Sequence, residues 1–177
     1  MNYFISILSS FNPLFFVLFV LALVIIGKAI FTFKSFPELR GKAIREMVVG
    51  GFFSILILGL FVVVPLISGI TIKNNELSLR LPSGMTFVTY TGDTVLSATL
   101  IDIETQPQYA IKSKVVGTEM RNYREGIFKL ENGTEAQVFL NGTKAIYVET
   151  TGTPLILGPD HFDQFLKSFS ENIKPIQ

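Results

Sequence analysis

Tyr3–Gly27 reads YFISILSSFNPLFFVLFVLALVIIG, and Met47–Ile70 reads MVVGGFFSILILGLFVVVPLISGI. Neither stretch carries a Lys, Arg, Asp or Glu. A bilayer core takes about 20 apolar residues per helix, so each run is long enough to cross one. The expectation is a helical hairpin of two transmembrane α-helices, over about 3–27 and 47–70, anchoring residues 1–70. The first run has no basic segment ahead of it and is longer than a signal-peptide core, so it is expected to stay on the chain. Gly50, Ser54 and Gly59 in the second run are small residues of the kind that let a neighbouring helix approach. Pro65 falls near its outer end, where a kink is tolerated.

Between the runs lies a bridge over 28–46 with Lys28, Lys34, Arg40, Lys42 and Arg45 against Glu38 and Glu46. Short loops rich in Lys and Arg stay on the cytoplasmic side. The bridge is therefore expected inside, with the start of the chain and everything after the second run outside. That makes a multi-pass membrane protein with an extracytoplasmic C-terminal domain. Phe31, Phe33 and Phe36 mark the bridge as an amphipathic segment at the interface, with Lys34 and Arg40 near lipid headgroups.

The rest of the chain has a different character. Overall, 49% of residues are hydrophobic, and most of the excess precedes Thr71. From Thr71 onward ten Lys/Arg stand against twelve Asp/Glu, which argues against a basic nucleic-acid face. The chain has no cysteine, so neither disulfides nor thiolate chemistry enter. Apolar residues now recur every second position, as in strands. Ile70–Lys73 and Glu76–Leu81 alternate across an Asn74-Asn75 turn. Met85–Tyr90, Thr94–Ile103 and Tyr109–Val116 follow as strands. Gly126–Leu130, Ala136–Leu140, Ala145–Val148 and Leu155–Leu157 are separated by Asn132-Gly133, Asn141-Gly142 and Gly152. Asn-Gly between alternating runs is the strongest short hairpin signal, and it predicts an antiparallel meander. Gly158-Pro159-Asp160 then reads as a helix start. Phe162, Phe165, Leu166 and Phe169 form one apolar stripe of a closing helix, and residues 171–177 read as a frayed tail.

Asn122–Leu130 (NYREGIFKL) with its Asn132-Gly133 turn, and Leu155–Leu166 (LILGPDHFDQFL), resemble the central strands and final strand–helix of bacterial pleckstrin-homology-like (PH-like) domains. The resemblance spans roughly 70–169. It departs from the family at Gly158, where a capping Ser is common. It implies an all-β PH-like barrel over 71–170 with a C-terminal capping helix, following a membrane anchor as many relatives do. It implies no particular activity.

Few residues invite chemistry. His161 with Asp160 and Asp163 suggests a metal or acid–base site, but in a helical first turn the histidine points away from both carboxylates, and a solvated helix start is favoured. Asp93 falls in a turn. Asp102 and Glu104 share a strand face without a partner base. Lys112 and Lys114 share another strand face near Arg121 and Arg124, and this basic patch is the best interaction surface, tempered by Glu119 and Glu125. Asn132 and Asn141 each begin an Asn-Gly-Thr glycosylation sequon. No catalytic residue, cofactor or metal is expected. The expected function is a non-enzymatic interaction module or accessory subunit of a membrane protein complex, touching the bilayer and another membrane protein. The alternative is a module that binds lipid or envelope at the outer surface.

Overall fold

The computed structural model describes residues 1–4, 13–59, 67–82 and 86–177. The chain divides into two compact units, one formed by Met1–Ser10 with Val64–Gln177 and the other by Phe11–Val63.

The smaller unit is a pair of helices. α1 covers Pro13–Ser35, a turn of 3-10 helix spans Pro37–Leu39, and α2 covers Arg40–Leu58. Pro13 opens α1, a position where its missing N–H costs nothing. α1 and α2 pack through small residues: Ala29 and Ala43 are fully buried, and Gly50 sits so close that a Cβ there would meet Ile26 Cγ1 at 2.8 Å. Arg40 fastens the turn, with its guanidinium 5.3 Å from the Phe33 ring and its Nε donating to the Phe33 carbonyl at 3.4 Å.

The two expected transmembrane helices are not found among the described residues. Among the described residues one helix, over Phe16–Ser35, is long and apolar enough to cross a membrane. α2 fails because its first two turns hold Arg40, Lys42, Arg45 and Glu46. Only Met47–Leu58 of it is uncharged, about 18 Å of helix against a hydrocarbon core of about 30 Å. The second apolar run is also not one element. Gly69 and Ile70 belong to a strand, and residues 60–66, Pro65 among them, lie outside the described residues. The first run is divided as well: Tyr3 is in a strand, and α1 runs on through Lys28 and Lys34 of the expected bridge.

The larger unit holds two sheets. The first has the order β1-β2-β3-β4, with β1 Asn2–Tyr3, β2 Gly69–Lys73, β3 Glu76–Leu81 and β4 Thr86–Thr91. Asn74 and Asn75, at φ 54° and 59°, make the two-residue β2–β3 turn that their sequence predicts. The second sheet has β5 Val95–Asp102, β6 Ile111–Met120, β7 Tyr123–Leu130, β8 Glu135–Asn141, β9 Lys144–Thr150 and β10 Leu155–Gly158, in the order β5-β9-β10-β8-β7-β6. A final helix, α3, covers Phe162–Asn172.

This order overturns the expected meander. β8 and β9 are consecutive and joined at Asn141-Gly142, yet β10 lies between them, antiparallel to β9 and parallel to β8. The reason is local. β8 and β9 diverge from their turn, and Gly158 is wedged between them, where a Cβ would collide with the Lys144 carbonyl and Leu140 Cδ1. Gly158 thus ends a strand and does not cap a helix.

The second sheet is apolar on both faces. Phe128, Leu130, Val138, Leu140, Ile101 and Ile156 form a core on one of them. A 3-10 turn at Pro107–Tyr109 joins β5 to β6, and Tyr109 packs 4.8 Å from Tyr147 at the margin of that core. By strand parity the opposite face carries Tyr123, Glu125, Phe139, Ile146 and Leu157. In α3, Phe165 and Phe169 are fully buried, and Phe165 meets Tyr3 edge-on at 5.2 Å. Phe162 and Leu166 are half-buried. The tail is not frayed at its end. Gln177 donates to the Ala98 carbonyl and accepts from the Leu100 amide, covering the outer edge of β5.

Candidate functional site: a buried polar row and a basic outer strand

β7 places Tyr123 and Glu125 on the same face, two residues apart, with Asn141 of β8 directly opposite Tyr123. Glu125 is fully buried. Its Oε2 accepts from the Tyr123 hydroxyl and, at 3.0 Å, from Ser68 Oγ. A buried carboxylate is tolerated when donors surround it. Burial raises the Tyr123 pKa well above its ordinary value, and the Glu125 charge raises it further. The phenol is therefore held as a donor. Next along the row, Asn141 Nδ2 donates to Asp160 Oδ1 at 2.7 Å, and the Asp160 amide donates to the Phe4 carbonyl at 3.0 Å. The row thus secures Phe4 and Ser68, the residues flanking the two places where the chain leaves and rejoins the sheets.

Sequence reasoning missed this row. Glu125 counted only as a charge diluting the basic patch. Its one signal was parity with Tyr123, which puts the two on one strand face without marking that face as buried.

The expected sites disperse. His161, exposed at φ 56°, precedes α3 and gives its carbonyl to the amides of Gln164 and Phe165. The helix starts at Phe162, two residues later than Asp160, whose Oδ1 accepts from Asn141. No group of three His, Cys, Asp or Glu able to hold a metal occurs among the described residues. β5 ends at Asp102, so Glu104 is not its strand neighbour; Asp102 Oδ1 accepts the Glu104 amide at 3.0 Å. Asp102 instead lines a groove of about 340 Å³ with Leu100, Gln106, Lys144, Phe162 and Asp163. Asp93 is exposed in the β4–β5 turn.

The basic residues do gather on the β6–β7 hairpin. Lys112 and Lys114 are exposed on β6, although two bulges, at 111–113 and 114–116, interrupt its alternation. Lys112 pairs with Glu131 at 3.6 Å and Arg124 with Glu119 at 3.2 Å. Arg121 is exposed in the hairpin turn at φ 48°. Of the sequons, Asn132 is exposed, while the Asn141 amide nitrogen is committed to Asp160.

Comparison of the chain with known protein families, with curated proteins and with solved structures finds no match.

Proposed function

We propose that this chain is a non-enzymatic interaction module, an accessory subunit held at a membrane by α1. The observation that carries the proposal is β6. It is the ten-residue outer strand of the larger sheet, and Lys112, Ser113, Lys114 and Val115 are exposed along it. Basic side chains around an exposed Val115 suit an acidic surface of a protein partner. Exposed lysines and bulges also discourage strand addition at that edge, which favours side-chain docking. The non-enzymatic part rests on the dispersal of His161, Asp102 and Glu104. The resemblance of 122–130 and 155–166 to PH-like domains, which serve as interaction modules behind membrane anchors, is consistent with this reading.

The expected extracytoplasmic side is not part of this reading: it needs the chain to recross after the basic residues from Lys28 to Arg45, and with α1 as the one span among the described residues that return is missing, while Asn2–Tyr3 and β2 stay paired.

Recovery of the full chain in gentle detergent, followed by mass spectrometry of what accompanies it, tests the function. A co-purifying membrane protein that is lost on reversing Lys112 and Lys114 to Glu is the expected result, since like charges across an interface suppress association. Recovery of bound lipid and no protein would overturn it.

A further inference from the structure

The four outer edges of the two sheets are treated very differently. β5 is covered by Gln177. β6 is guarded by lysines and bulges. β1 is two residues long. β4 has none of these protections. It reads TFVTYT, with no charge, no proline and an unbroken register against β3 from Thr86↔Leu81 to Thr91↔Glu76. Phe87 is 66% exposed and Val88 38%. Among the described residues no strand pairs with its outer side. An uncharged edge of this kind is a template for another strand.

The direction of its free backbone groups can be worked out. The Thr91 amide donates to Thr94 Oγ1, and the Thr91 carbonyl accepts the Thr94 amide, so Thr91 faces away from β3. In a strand this direction alternates. The amides and carbonyls of Thr89 and Phe87 therefore also face the open edge.

We propose that β4 pairs antiparallel with β4 of a second copy of this chain, about a two-fold axis at Thr89. Both copies keep the same face inward only if residues of like parity stand opposite. The Thr89 register does this: Thr89 opposes Thr89, Phe87 opposes Thr91, and Val88 opposes Tyr90. The outward groups of Thr89 then exchange two hydrogen bonds across the axis. Charge also fits. Arg80 neighbours Phe87 and Glu76 neighbours Thr91, so each cross-strand row begins with Arg80 of one copy and ends with Glu76 of the other. Like charges do not meet. A two-fold contact is self-complementary and closes after two copies. The proposal is independent of the β6 surface.

The absence of cysteine makes the test clean. Directly hydrogen-bonded antiparallel partners have Cα atoms about 5.5 Å apart, within disulfide reach. Full-length Thr89→Cys, oxidised in its membrane, should lose its monomer band to a disulfide-linked dimer. Ser113→Cys on the guarded β6 edge should stay monomeric. Thr89→Lys and Thr89→Glu should each be monomeric by light scattering in detergent, and co-expression of the two should restore a mixed dimer. The rescue distinguishes lost pairing from lost folding. Equal cross-linking at 89 and 113, capture of a different protein by Thr89→Cys, or failure of the mixed dimer would overturn the proposal.

Discussion

Tyr123 and Glu125 make a buried pair whose cost and benefit are set by protonation. The phenol donates to a carboxylate that is fully out of water, and Ser68 donates to the same oxygen. Replacing Tyr123 with Phe removes the donor and leaves the acceptor buried. That loss is about 1–3 kcal/mol at neutral pH, readable as a lower denaturation midpoint for the full chain in detergent. The pH dependence follows from the raised pKa of Tyr123, caused first by burial and then by Glu125. Below about pH 10 the phenol is protonated in both folded and unfolded chains, and the stabilisation is fully present. Above it the unfolded phenol ionises while the folded one holds its proton, so stability falls as pH rises. The gap between the native chain and Tyr123→Phe should therefore narrow above pH 10. A gap that stays constant to pH 11 would sink the assignment.

At the level of elements, α3 is held by two rings. Phe165 and Phe169 are buried, and Phe165 touches Tyr3, Phe162 and Phe169. Truncating a buried Phe costs about 3–5 kcal/mol, a large share of a domain's stability. Phe165→Ala should lose cooperative unfolding or melt far lower, and an unchanged midpoint would refute the packing. This helix was legible because its apolar stripe repeats at the helical period. Asn74-Asn75 was legible because two positive φ values in a row select that pair. Asn141-Gly142 was legible only as a turn. Nothing in either flanking strand shows that a third will enter between them, since that depends on Gly158, distant in sequence and lacking a side chain to signal its role. The buried row was illegible for a related reason: Ser68 lies 57 residues from Glu125, and period two places residues on faces without saying which face is covered. The failure of α2 as a membrane span was written in its neighbours, because it takes its first turns from the basic bridge.

For the whole chain the decisive link is the shortest strand. β1 pairs with β2 through Asn2↔Thr71 and Tyr3↔Ile70, and the Ile72 amide donates to the Met1 carbonyl at 2.9 Å. The residues before α1 and the sheets after α2 are thus one folded body. They must lie on one side of a membrane, whereas a lone crossing by α1 would separate Asn2–Tyr3 from β2, so the pairing and a lone crossing exclude each other. Lys34 lies in the last turn of α1, and Arg40, Lys42 and Arg45 follow at once, a segment that favours the cytoplasmic side. Single cysteines at Ser35 and Ser113 test this without background, because the chain has none of its own. Both positions are exposed. With no second span after α1 among the described residues, an impermeant maleimide on intact cells should treat Ser35→Cys and Ser113→Cys alike, both protected until permeabilisation. Labelling of Ser113→Cys alone in intact cells would show a further crossing between the two positions and overturn this.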